Sequence, residues 1–143
     1  MRKHKLTFAF IVVALSAFSI GQLGDLGKLI KVGGVALLVD QFGGEMNKGL
    51  NRLTKHNDSA TVKTKVVTIL SVGIGRSHAI GAAQVMGPPD KVDKVVAIAQ
   101  PEADLLGRQI RLRALIPVSD KNVTKAIKTV DGVGVSGIVD IKL

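Results

Sequence analysis

Gly73-Ile74-Gly75-Arg76-Ser77-His78 is the stretch whose residue types come nearest to chemistry. Glycines in a tight turn free backbone amides to point at an anion, and a guanidinium beside them adds a positive charge. Arg76, Ser77 and His78 are therefore the candidate residues for binding a small ligand or anion. The spacing is neither the dinucleotide fingerprint nor the phosphate loop with its Gly-Lys-Ser/Thr. Ser77 and His78 are adjacent, so local geometry does not make them a nucleophile and its base. A plain hairpin turn with an exposed arginine accounts for the same residues.

Other reactive residue types are sparse. The three histidines, His4, His56 and His78, lie far apart, and no pair has metal-ligand spacing. With no cysteine in the chain, thiol chemistry, disulfides and Cys-ligated zinc are excluded. Asp90 and Asp93 follow Pro88-Pro89 and suit the start of a helix, where the dipole favours acids. The expectation is a protein that is not an enzyme and carries neither cofactor nor metal.

Charge is the main positive clue, at a formal net +9. Lys63, Lys65, Arg111 and Arg113 would share one basic sheet face if their strands were neighbours. Such a face suits an anionic membrane surface, an envelope polymer or an acidic protein, although a solvated surface explains it equally well. Nucleic acid is a poor fit, because bases stack on aromatic rings and the chain has four Phe, no Tyr and no Trp. Three of those phenylalanines, Phe8, Phe10 and Phe18, fall in the first twenty residues. The core must therefore be Val, Ile, Leu and Ala.

Those first residues read as an export signal. Met1-Arg2-Lys3-His4-Lys5 is basic, and Leu6 to Ile20 is uncharged and mostly apolar. Ser19-Ile20-Gly21 offers a cleavage point before Gln22, which makes 1–21 the expected signal peptide. The alternative is a retained N-terminal anchor, since the uncharged run continues to Gly24. Both readings place the remainder outside the cytoplasm, in the periplasm, at the cell surface or secreted.

Residues 22–60 form the next unit, a glycine-rich helical arm. Leucines and isoleucine recur at three- and four-residue steps, while Gly33-Gly34 and Gly43-Gly44 divide the pattern into two or three short helices. Residues 61–143 form the main domain. Thr61 to Val72 is β-branched and apolar on both faces, which suits a central strand, and His78 to Met86 supplies a hairpin partner. A helix is expected from Asp90, with Val92, Val95, Val96 and Ala99 on one face. A strand from Ile110 to Val118 follows, with Ile110, Leu112, Ala114, Ile116 and Val118 buried. A second helix from Asp120, with Val123, Ala126, Ile127 and Val130 inward, and a final strand from Val133 to Leu143 repeat the unit.

This order, ββαβαβ after the arm, predicts an α+β fold: a two-layer domain with a mixed four-stranded sheet and two short helices on one face. The part from about 90 to 143 resembles BON-type extracytoplasmic domains, on Ile110–Val118, Asp120, Ala126, Gly132-Val133 and Val135–Leu143. The resemblance implies a cell-envelope module of a family proposed to bind phospholipid, and it supplies no catalytic residue. The functional expectation is a small exported binding module at the cell envelope. A self-associating structural subunit, a homo-oligomer joined through edge strands or the arm, is the alternative. Anion or small-ligand binding at residues 73–78 is a further one.

Overall fold

β1 (Lys63–Ser71) is the strand around which the rest is arranged. Its β-branched residues fit a pleated surface covered on both sides, and five consecutive residues from Val66 to Leu70 are buried. The computed structural model describes residues 20–73 and 78–141, with side chains from residue 34 onward. The expected signal peptide, 1–21, lies almost wholly outside the described residues, as do Arg76 and Ser77.

The architecture is α+β, with a long helical arm and a mixed five-stranded sheet. Helix α1 (Ile20–Thr54) precedes β1. β2 (Ala79–Gly87) returns antiparallel to β1, with Lys63 opposite Gly87 and Val67 opposite Ala83. A single helical turn, α2 (Pro89–Val92), then leads to β3 (Ala97–Gln100), which runs parallel to β1 on its other side. β4 (Glu102–Leu105) and β5 (Ile110–Arg113) pair only with each other. β6 (Ile116–Val118) and β7 (Gly134–Val139) form the two edges of the main sheet, whose order is β6-β3-β1-β2-β7.

Side-chain alternation along β1 divides the core in two. Val66 faces α1, packing with Val39 and Ala82 and with the partly buried Met46, Leu50, Val139 and Ile141. On the opposite face Val67 and Ile69 meet Ala83, Val85, Ile98 and Val130, closed over by Val92 and Val95. Beyond the end of α1's cover, Val123 sits on Leu70, Ala97, Ala99 and Val118.

The helical arm is two helical segments meeting at Gly34, whose φ of 74° is non-helical, so the division expected at Gly33-Gly34 is present, while Gly43-Gly44 does not interrupt the second segment. Of the two short helices of the expected fold, the first is reduced to the single turn Pro89–Val92 and the second is absent among the described residues. From Asp90 the chain makes one turn and then extends, because Val95, Val96 and Ile98 are β-branched and β1 offers an unpaired side. Val92 and Val95 are buried as expected, but Val96 is exposed. Residues 120–130 carry no helix. Val123 and Val130 are buried while Ala126 and Ile127 face solvent. Asp120 organises this loop, accepting a hydrogen bond from the Asn122 amide at 2.9 Å and pairing with Lys128 at 3.4 Å. The expected strand over residues 110–118 is split into β5 and β6, and its outer half is exposed on both faces.

Polar residues fasten α1 to the sheet. Gln84, fully buried on β2, donates from Nε2 to Oδ1 of Asn47 and of Asn51, both at 2.9 Å. Its Oε1 accepts from Ser136 Oγ at 2.7 Å. Asn47 and Asn51, one helical turn apart, both donate to Thr64 Oγ1, which donates to Asp58 Oδ1 at 2.8 Å. A buried amide costs little only when both its ends are paired. This one spans α1, β1, β2 and β7, so it fixes how the helix sits across the strands.

Candidate functional site

The sequence candidates do not converge. Of the residues 76–78 only His78 lies among the described residues, where its Nδ1 meets Ser71 Oγ at 3.1 Å across the mouth of the β1–β2 hairpin. The basic face is not assembled either. Lys63 is paired with Asp93, and Lys65 Nζ donates to the Val95 carbonyl at 2.7 Å. Arg111 and Arg113 lie in a different sheet from Lys63 and Lys65, because β5 pairs with β4 and not with β1. The condition for a shared face, neighbouring strands, is therefore not met.

What the structure brings forward instead is the β4–β5 ribbon. β3 and β6 pair with Ala99 opposite Ile116, and beyond Pro101 the same register continues with Glu102 opposite Arg113 and Leu105 opposite Ile110. At the junction the Ala114 amide donates to the Pro101 carbonyl at 3.0 Å. Residues 97–118 are thus one long hairpin. Its inner half belongs to the main sheet, and its outer half extends beyond it with every residue from Glu102 to Arg113 exposed.

Directly opposed residues share a face of such a ribbon. One face carries Glu102, Asp104, Arg111 and Arg113, joined by ion pairs of Arg113 with Glu102 at 3.3 Å and of Arg111 with Asp104 at 3.4 Å. The other carries Ala103, Leu105, Ile110 and Leu112. Leu105, Ile110 and Leu112 are each nearly half exposed, and Leu106 at the turn is 70% exposed. Arg108, also in the turn, has no acidic partner among the described residues.

The turn itself is strained. Leu106 has φ 51° and Arg108 φ 80°, on either side of Gly107 at 61°. Left-handed backbone costs a residue with a β-carbon about 1–2 kcal/mol, and a branched Leu is a rare occupant. Glycine at either position would relieve this, yet the chain places there its most exposed ribbon leucine and an arginine with no acidic partner among the described residues. The strand alternation of 110–113 was visible in the sequence. That its apolar half would be left uncovered was not, because only the partner strand's position decides it.

Two of the open clefts among the described residues lie near these elements. One of about 610 Å³ crosses the sheet at the base of the ribbon, floored by Ile69, Ile80, Leu115 and Ile138 and rimmed by Glu102 and Arg113. Another, of about 860 Å³, lies along the end of α1, lined by Lys48, Arg52, Lys55, His56 and Asp58 among others. No group of three metal-ligating side chains occurs among the described residues. Among the same residues, no helix is long and apolar enough to cross a membrane. Compared with protein-family models, with curated proteins and with solved structures, the chain matches none.

Proposed function

We propose that this chain is an exported, non-catalytic binding module of the cell envelope, and that the β4–β5 ribbon is its docking element. The observation that carries the reading is the pair of left-handed side chains at the ribbon's tip, Leu106 and Arg108. Neither packs into the core, and both hold a backbone conformation that glycine would adopt at lower cost. Residues held in sparsely populated backbone conformations cluster at ligand clamps and other functional sites. The basic n-region and apolar run of residues 1–20 support export, and with it an envelope partner.

The test replaces Glu102–Arg113 by a two-residue Asn-Gly turn between Pro101 and Ala114, a connection suited to a hairpin already in register. Binding of the full chain and of the shortened chain to isolated cell envelopes is then compared. Residues 1–21 are the same in both, so the difference isolates the ribbon. Strong binding by the full chain and its loss in the shortened chain, with both unfolding at similar denaturant concentrations, is the expected result. Equal binding by the two would remove the ribbon from the function.

A further inference from the structure

The ribbon's partner follows from the arrangement of its side chains and from what its backbone requires. We infer that the tip and apolar face of the ribbon enter the headgroup region of an anionic membrane; this rests on the ribbon being the docking element.

A second copy is a poor occupant. The apolar strip is Ala103, Leu105, Ile110 and Leu112, extended by Leu106, and an ordinary stable interface buries about 800 Å² on each partner. Five side chains on a two-stranded ribbon fall well short of that. The strip has instead the form of an amphipathic element lying in an interface. It has apolar residues on one side, charges on the other, and its most exposed leucine at the end. Each strand reaches about 14 Å at a rise of about 3.4 Å per residue, enough for the tip to cross a headgroup layer. Depth is limited by the backbone. The outer edges of β4 and β5 are unpaired among the described residues, and such groups stay where water can reach them. The ribbon therefore rests at the interface and does not span the membrane.

The charges agree with this placement. Glu102 and Asp104 would repel an anionic surface, but Arg113 and Arg111 neutralise them on the face turned away from the strip. Arg108 remains as the uncompensated charge, set among the leucines at the tip, where its stem can lie along them while the guanidinium reaches a lipid phosphate. The basic residues lining the cleft on α1 are not part of this contact. β3 runs parallel to β1, so the ribbon leaves from the end of β1, whereas Asn47 and Asn51 hold the end of α1 over its beginning at Thr64.

Because the chain has no tryptophan, Leu106→Trp places a single reporter at the tip, and Leu53→Trp places one at the opposite end of the molecule at another exposed leucine. Each full-length variant is mixed with vesicles of phosphatidylglycerol or of phosphatidylcholine, with and without brominated acyl chains. On phosphatidylglycerol the emission of Leu106→Trp should shift to the blue and be quenched by bromine, with a smaller response on phosphatidylcholine. Leu53→Trp should respond to neither, which separates ribbon contact from any attachment by residues 1–20. Adding Ile110→Asp, a change at an exposed site, should weaken the Leu106→Trp response at least tenfold while leaving the thermal midpoint unchanged. The inference is overturned if a reporter at position 106 remains in water on both vesicles, or if Ile110→Asp changes nothing. Should the ribbon still be needed for binding to whole envelopes in that case, the docking element stands and its partner is a protein or a polymer. Should it not, both readings fall.

Discussion

Two glycines show how differently the same residue can be constrained. A β-carbon on Gly87 would lie 2.8 Å from the Gly132 carbonyl oxygen, a backbone atom that cannot step aside. On Gly137 it would meet Leu50 Cδ2 at 3.1 Å, the movable end of a side chain. Gly87→Ala is therefore expected to destabilise the fold by about 2 kcal/mol or more, and Gly137→Ala by about 1 kcal/mol, read from urea unfolding. Gln84 is a third case. Gln84→Ala leaves the side-chain oxygens of Asn47 and Asn51 without their donor and Ser136 Oγ with only its long bond to the residue-84 carbonyl, at 3.4 Å. A loss of about 2–4 kcal/mol is expected from the cavity and the unpaired groups together, measured the same way. At Arg108 the sign reverses. Arg108→Gly relieves a φ of 80° and should raise stability by up to about 1 kcal/mol while lowering affinity for phosphatidylglycerol vesicles. A substitution that improves the fold and impairs binding would mark the position as held for its partner.

Elements here differ in what they contribute to the whole. The ion pairs of the ribbon are exposed, and exposed pairs contribute about 0–1 kcal/mol each. Glu102→Gln should accordingly move the unfolding midpoint very little, although it leaves Arg113 without its partner and the charged face more basic. The loop over residues 119–130 is maintained by a carboxylate. Hydrogen bonding from the Asn122 amide, assisted by Lys128, lowers the pKa of Asp120 below its ordinary value. A lowered folded-state pKa means that its contribution is present above the unfolded value and is lost as pH falls through the folded one. Amide exchange across residues 119–128, corrected for intrinsic rates, should thus become less protected in acid below about pH 4, and Asp120→Asn should remove that dependence. This loop also covers β6, since the Val130 amide donates to the Pro117 carbonyl at 2.9 Å and Ser119 to that of Lys128 at 3.0 Å.

At the scale of the whole molecule, the sheet is covered on both faces at its centre and thins toward its ends. β1, β2 and β3 hold most of the fully buried residues, whereas Glu102 to Arg113 contributes none. Hydrogen exchange should consequently be slowest in the three central strands and fastest in the ribbon, which can open without the rest unfolding. The two sheet edges are closed differently. β6 is short, contains Pro117 and is bridged through Val118 to Thr129, while β7 is bent by a bulge that skips Ser136 between Val135 and Gly137. Both are ways in which an edge avoids pairing with a neighbouring chain.

Local rules were enough for the sequence to specify some of this. The β1–β2 hairpin, the central position of β1, the last strand and the break at Gly34 follow from β-branched runs, alternation and glycine, all short-range properties. So does the apolar alternation from Ile110 to Leu112. Two things were decided only by the tertiary structure. The chain after Asp90 became a strand because β1 had a free side for it, and a helix there would have left that side open. The apolar face of residues 110–112 became a surface because the hairpin outruns the sheet that would have covered it. Alternation tells which side chains share a face; whether that face meets a core or a partner depends on how far the neighbouring strands extend.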